Sequence, residues 1–593
     1  MATSNILSLE AEVLANVLRY IDDESPWTTA AVAQTCKYLN YVSKLVRYRR
    51  LTVRWDSELR TWTDQSGRRQ EEWETPELLQ GLRQLTVRQP DIDPLIGESD
   101  DNGDSSYLGK SHHTFDRLET VLRNASNLKT VVWNAGYLPT KGVVEALQAH
   151  QPNAKLDIYR GKRLSNLHTP LESEEVLAAA TCLNSFSMRT QKHTCIEDHL
   201  LFHMILSSAP NLRFASIISY PSMAPYSPQV TNLRYNLESW LPPDQGRKPS
   251  SSLRHLTLDG WEISADCLEF WSQYVNLACL TSLKCSRGPL HQSYFERGPQ
   301  MLTNLKSLSI NLAATPRTDT FLTAAQNYIA TCPPLETLSL WSWRGKMSLR
   351  AILHQHGATL QDLQLHEPED STGLSLRESF SAEELQSIRQ SCPRLGKLTF
   401  DLNRVSWQLR IQDYDGILEE LRKFKLDQIQ IYLDSGLQWL RQAVQLERQG
   451  LVSWTPLFDI VDDEGPIQLE DGVCLSSACT AHSFYEGALP LTIERTDPAW
   501  AHLAGDDESF TVQPPSSHWD VCHFLVKVWK TIFGSHALGS RQIELKYGEW
   551  EKKSFPHDLY RFDDRDMRLY CRARPHERDD MVGKCFVEMD CAT

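Results

Sequence analysis

The chain has 593 residues, too many for one hydrophobic core, so it must divide into domains or form a repeat array. Hydrophobic residues make up 41% and charged residues 23%, the balance of a soluble folded protein, and no apolar run approaches the roughly 20 residues of a membrane span. A net charge of −15 argues against a nucleic-acid partner, which calls for clustered Lys and Arg, and no membrane partner is expected.

The first residues, MATSNILSLEAEVLANVL, contain acids and lack a basic n-region, so no secretory leader is expected. Residues 5–50 read as a small helical domain. Leu9, Val13, Leu14, Val17, Leu18 and Ile21 recur at three- and four-residue spacing, and Glu12 lies on the same helix. After a break at DDESPW, Val32, Cys36, Leu39, Val42, Leu45 and Val46 give a second apolar stripe. Residues 90–111 are acidic and rich in turn formers, which predicts a surface loop. Its DDNGD run lacks the closing Glu of a calcium loop, so no metal is expected there.

From residue 82 onward one phrase recurs: a leucine, two variable residues, an apolar residue, one variable residue and another apolar residue. It opens weakly with Leu82/Leu85/Val87 and continues as Leu128/Val131/Trp133, Leu183/Phe186/Met188, Leu212/Ala215/Ile217 and Leu253/Leu256/Leu258. Leu280/Leu283/Cys285, Leu305/Leu308/Ile310, Leu335/Leu338/Leu340, Leu360/Leu363/Leu365 and Leu395/Leu398/Phe400 follow, and Leu426/Ile429/Ile431 closes the series. The last three positions alternate like a strand with one face buried.

Between the phrases the period becomes helical. Phe321, Leu322, Ala325, Tyr328 and Ile329 share one face of 319–331, with Asp319 as the expected N-cap. Residues 381–391 open with a capping box of Ser381 and Glu384. Helices are also predicted over 114–125, 140–150, 197–208, 348–356 and 414–424. Strand, turn and helix make one solenoid unit, which buries its apolar side only by stacking on neighbours. The predicted class is therefore α/β: an irregular leucine-rich-repeat solenoid over 51–433, with a Pro/Ser-rich loop at 221–252. An ordinary α/β domain with leucine-rich parallel strands is the alternative. The phrases repeat at about 25–30 residues between Leu253 and Leu360 but spread further apart elsewhere, and the asparagine customary after each strand is replaced by Trp261, Gly288, Ala313 and Trp343.

The strand positions between the leucines face away from the helices and would meet a ligand. They include Thr257, Lys284, Ser309, Ser339, Gln364, Thr399 and Gln430, followed one register on by Asn134, Arg189, Asp259, Ser286 and Asn311. Trp341, His366, Asp401 and Tyr432 continue that second row and are the candidate target-binding residues, because aromatic anchors dominate protein interfaces. A merely wet, polar face would look the same.

A connecting helix is expected over 434–450, and residues 451–593 read as a folded α+β module of unassigned role. Its candidate strands are PLTIERT, RQIELKYGEW, RLYCRAR and KCFVEMD, beside one helix, CHFLVKVWKTIF. Fourteen cysteines are scattered along the chain, several in apolar segments (Cys36, Cys267, Cys332, Cys392), as expected of reduced core thiols in a cytoplasmic or nuclear protein. Cys474, Cys479 and His482 lie close in sequence but lack a second pair at zinc spacing. Neither metal nor cofactor is expected, and the phosphate-loop, dinucleotide, nucleophile-elbow and zinc-protease signatures are missing, so the chain is expected to be non-catalytic.

The order LEAEVLANVLRYI, AAVAQTCKYLNYVS, YRRLTV resembles an F-box, over about 45 residues placed directly before leucine-rich repeats. The resemblance is to the F-box/leucine-rich-repeat family. It departs from that pattern at Glu10, where a proline is usual, and at Ser25-Pro26-Trp27. It implies docking on a Skp-family adaptor and cullin ligase core through Leu9, Glu12, Val13, Leu14, Val17, Leu18, Ile21, Val32, Cys36 and Leu39, with the repeats selecting an unidentified target protein for an SCF-type ubiquitin ligase. Helices that merely cap the solenoid, in a non-ligase scaffold, are the alternative.

Overall fold

The computed structural model describes residues 13–14, 17–18 and most of 31–434. Within that span it leaves out 48, 57–60, 65–68, 70–73, 89–117, 164–168, 191–195, 220–248, 250–251, 262, 287, 314–317, 370–376 and 404–410. Beyond 434 it describes 452–454, 473–475, 491–494, 509–512, 518–533, 542–547, 569–575 and 585–591. The acidic loop, nearly all of the Pro/Ser-rich loop and all but the first residue of the connecting helix expected over 434–450 lie outside the described residues. The chain forms two units, Met1–Asn304 and Leu305–Thr593, so the division falls inside the predicted repeat array.

In the first unit the apolar alternation becomes strands β1 (Arg50–Asp56), β2 (Thr61–Asp64), β3 (Gln84–Arg88), β4 (Thr130–Asn134), β5 (Lys155–Gly161), β6 (Leu183–Thr190), β7 (Phe214–Ser219), β8 (His255–Asp259) and β9 (Ser282–Ser286). β1 pairs antiparallel with β2, and the sheet then runs parallel in the order β1-β3-β4-β5-β6-β7-β8-β9. Helices α1 (Lys37–Arg47), α2 (Pro76–Gly81), α3 (Lys141–His150), α4 (Glu172–Ala178), α5 (Ile196–Ser208), α6 (Ala265–Ser272) and α7 (Gln292–Met301) separate the strands, and residues 118–124 are helical as well. Parallel pairing requires such crossovers, because neighbouring strands must start at the same end.

The long gap between the phrases at Leu128 and Leu183 holds a full unit. β5 carries Leu156 and Ile158 into the core, but Asn153 stands where the phrase has its opening leucine. Gly288 stands where a repeat asparagine is customary, and a Cβ there would lie 1.7 Å from the Trp261 carbonyl oxygen. Only glycine permits that backbone approach. Trp261 and Trp343, two other residues in asparagine places, are buried, and their indole N–H groups meet no acceptor among the described residues. Apolar packing thus replaces a hydrogen-bonded ladder at these turns.

The second unit contains β10 (Ser307–Asn311), β11 (Thr337–Trp341), β12 (Asp362–His366), β13 (Lys397–Leu402) and β14 (Gln428–Leu433), with helices α8 (Asp319–Thr331), α9 (Leu349–His356), α10 (Ala382–Ser391) and α11 (Asp415–Arg422) between them. Equivalent phrase positions line up: Leu308, Leu338, Leu363, Leu398 and Ile429 pair directly as one buried row, and Ile310, Leu340, Leu365, Phe400 and Ile431 are buried in the next. Each such side chain contributes about 1.5–3 kcal/mol by leaving water. The capping box of Ser381 and Glu384 is present. The cap of α8 is a correction to the sequence reading: Thr318 accepts from the Phe321 N–H, and Asp319 occupies the first turn, where its charge meets the positive end of the helix.

The C-terminal residues include β15 (Val452–Trp454), β16 (Val473–Leu475), β17 (Leu491–Glu494), β18 (Ser509–Val512), α12 (His518–Phe533), β19 (Gln542–Tyr547), β20 (Leu569–Pro575) and β21 (Cys585–Cys591). β19 pairs parallel with β14, and Ile543 and Leu545 prolong the two buried rows. β20 and β21 then add antiparallel, β16 pairs with β21, and β15, β17 and β18 make a separate antiparallel sheet. Strand β19, from the region read as a separate module, therefore continues the repeat sheet.

Among the described residues no helix is long and apolar enough to cross a membrane, and no group of His, Cys, Asp and Glu could hold a metal ion. Cys479 and His482 lie outside the described residues. Burial pushes the Cys182 thiol up to about 11 and the Cys332 and Cys392 thiols up to about 12, as suits inert core residues.

Candidate protein-binding site

Strand register assembles the row predicted for target binding. Asn311, Trp341 and His366 are paired across β10, β11 and β12, and Asp401 and Tyr432 across β13 and β14. The structure brings Trp341, His366, Asp401 and Tyr432 together, but it buries most of them. His366 and Asp401 are each 1% exposed and Tyr432 is 7% exposed, whereas Trp341 is half-buried.

The contacts explain the burial. His366 Nδ1 lies 2.6 Å from Asp401 Oδ1, and the Glu367 N–H donates to Asp401 Oδ2 at 2.6 Å. The imidazole stacks on the Tyr432 ring at 3.8 Å between centroids and meets Trp341 edge-on at 4.5 Å. Lys546 of β19 places its ammonium 4.9 Å over the Tyr432 ring and donates to the Tyr432 hydroxyl at 3.1 Å. Arg377 closes the other side, donating to the Tyr432 carbonyl at 2.9 Å and lying 3.6 Å from Asp401. Burial raises the Glu367 carboxyl above its ordinary value, against the Arg344 N–H that donates to it. This network joins five strands, β11 to β14 and β19, and of the four predicted residues it leaves Trp341 the most exposed.

Sequence reasoning missed Arg377 and Lys546. Lys546 had a legible signal, since RQIELKY alternates like the other strands. Arg377 follows a segment without periodicity and had none.

At the N-terminus, residues 13–14 and 17–18 are helical. Leu14, Leu18, Leu39, Val42 and Val46 form a buried cluster, with Val32, Cys36 and Tyr38 packed against it. Val13 and Val17 are 45% and 41% exposed, one turn apart. Of the residues named for adaptor docking, Leu14, Leu18 and Leu39 thus hold the small helical core together. Val32 and Cys36 are half-buried on it, and Val13 and Val17 face water. Leu9, Glu12 and Ile21 lie outside the described residues.

A further surface is the sheet side of the first unit. Phe214 stacks on His255 with ring centroids 4.4 Å apart and planes 8° apart, yet Phe214 remains 41% exposed, and Tyr159 is 45% exposed. Partial burial and the Arg254 charge lower the His255 pKa, which favours the neutral ring.

No protein-family model matches the chain, and no curated protein matches it by sequence. The chain is similar to a solved structure described as a Rad7 and Elc1 complex in yeast, at 14% identity and a TM-score of 0.28, covering 66% of this chain and 87% of that one. A likeness at that score carries no argument about fold or function.

Proposed function

We propose that the chain is the substrate-recognition subunit of an SCF-type cullin-RING ubiquitin ligase, docking on a Skp-family adaptor through its N-terminal helices and holding a target protein on its repeats. The observation that carries the reading is the split of the first helix. Leu14 and Leu18 anchor it internally, while Val13 and Val17 stay in water directly before a parallel repeat sheet. An exposed aliphatic pair one turn apart is the kind of anchor that an apolar groove accepts from a helix. Catalysis would belong to other ligase subunits, and this chain's task would be positioning, with no cofactor.

Capture of the full-length chain on purified Skp-family adaptor tests the reading. Binding by the parent and its loss in Val13→Asp/Val17→Asp, with unchanged thermal stability, is expected. If the parent is not captured, or the double variant is captured equally well, the ligase reading falls and a scaffold that uses only the repeats replaces it.

A further inference from the structure

The two sides of the first unit treat their cations differently. On the helix side four basic residues are matched: Arg123 pairs with Glu119 at 3.0 Å, Arg163 with Glu174 at 2.7 Å, Lys141 with Glu172 and Arg297 with Glu269. On the sheet side four of them are not. Arg54 and Arg88 lie next to each other in the β1–β3 register, Arg189 stands on β6 and Lys284 on β9, all on the face opposite the buried leucines. None of these four has an ion pair among the described residues, and the Arg189 Nε is buried without an acceptor. The acidic residues on the same face with described side chains are fewer: Asp157, already accepting from Asn184 at 2.7 Å, and Asp259. Tyr159 and Phe214 stand in water between these cations.

A chain of net charge −15 that gathers unmatched cations and exposed aromatics on one sheet face has a surface complementary to an anion with apolar side groups. We propose that this face binds an extended, Asp/Glu-rich polypeptide segment, with Arg54, Arg88, Arg189 and Lys284 matching its carboxylates and Tyr159 and Phe214 its apolar side chains. At about 4.8 Å per strand step the face from β1 to β9 is about 34 Å wide, which an extended segment of about ten residues crosses. Nucleic acid fits less well. Its charge, about one per 1.7 Å of duplex, continues past the face on both sides and would meet the acidic remainder of the protein. The proposal deepens the receptor reading, on which it rests for the bound segment being part of a target.

Fluorescence anisotropy of the full-length chain with a labelled peptide of about ten Asp and Glu residues around one Phe is the test. Controls are an Asn/Gln peptide of the same length and an oligothymidylate. Binding of the acidic peptide alone is expected, weakening as salt is raised and falling about tenfold in Arg88→Glu/Lys284→Glu. The milder Arg88→Gln/Lys284→Gln should lose part of the affinity, and Arg297→Glu on the helix side should lose none. Equal binding of the Asn/Gln peptide, equal or tighter binding of the oligothymidylate, or undiminished binding by both double variants would overturn the proposal. Adaptor capture by Arg88→Glu/Lys284→Glu separates the two readings: retained capture with lost peptide binding supports this face, and failed capture by the parent strikes only the ligase assignment.

Discussion

His203 is 2% exposed, and both of its ring nitrogens are committed. Trp271 Nε1–H donates to Nε2 at 2.6 Å, so Nε2 must carry the lone pair, and Nδ1 then donates to the His199 carbonyl at 2.7 Å. A second proton would set two N–H groups against each other inside a box of Trp261, Phe270 and Trp271 rings. Burial accordingly lowers the pKa from 6.5 to about 4, and the carbonyl of His199 opposes that only in part. Because the folded value lies below the unfolded one, the unfolded chain binds the proton first. Stability is complete above the unfolded pKa of 6.5 and is lost as pH falls from there to about 4. At about 1.4 kcal/mol per pKa unit the loss is about 2 kcal/mol at pH 5 and about 3 kcal/mol once the folded ring titrates. Urea unfolding followed by tryptophan fluorescence at about pH 7.5 and about pH 5 measures it, with His203→Leu as the comparison. The variant should start about 1–3 kcal/mol less stable, because the Trp271 N–H loses its acceptor, but its further loss on acidification should be smaller by about 2 kcal/mol. An unchanged pH dependence in His203→Leu would refute the assignment of a neutral, doubly bonded ring.

Arg163→Ala should cost about 3–5 kcal/mol by leaving Glu174 buried without its cation, read as a lower melting temperature. Gly288→Ala should destabilise by about 1–3 kcal/mol, since its methyl group meets the Trp261 backbone at 1.7 Å and the repeat turn must shift; thermal unfolding reports it. Asp401→Asn keeps the side-chain volume but removes the charge facing His366, the Glu367 N–H and Arg377. A loss of about 1.5–3 kcal/mol in chemical denaturation is expected, without change in peptide binding to the first unit. Val13→Asp and Val17→Asp should each change stability by no more than about 0.5 kcal/mol, whereas Leu14→Asp should melt the N-terminal helices, as helical circular dichroism would show.

What could be read from sequence was whatever repeats. The leucine phrases located the strands because each phrase buries two alternating side chains against its neighbours, and Leu308, Leu338, Leu363, Leu398 and Ile429 pair in register across five strands. The capping box at Ser381 was legible for the same reason, being a local hydrogen-bond pattern. β5 was hidden because one residue, Asn153, interrupts the phrase while Leu156 and Ile158 still fill the core. Asp319 was taken for a cap because Asp and Thr both serve there, and only the backbone shows which of two adjacent residues is still extended. Burial across a sheet was the least legible property. Alternation marks Thr399, Asp401, Gln430 and Tyr432 as pointing away from the leucines, yet all four are buried on that side too.

That double burial bears on where a partner is held. A row of polar and aromatic residues on the ligand side of a repeat sheet suggests recognition, but recognition needs solvent access, and His366 and Asp401 have almost none. Their mutual hydrogen bond, the Tyr432 stack and the Arg377 and Lys546 clamps all lie within the second unit, where they tie neighbouring strands together. The sheet side of the first unit has the opposite character: Tyr159 and Phe214 are exposed, and Arg54, Arg88, Arg189 and Lys284 have no ion pair among the described residues. Exposed apolar area and unpaired charge are where binding free energy can still be gained, whereas buried groups have already contributed to folding. On that physical ground the proposed binding surface lies on β1 to β9, while His366, Asp401 and Tyr432 of the aromatic row are packed inside the second unit.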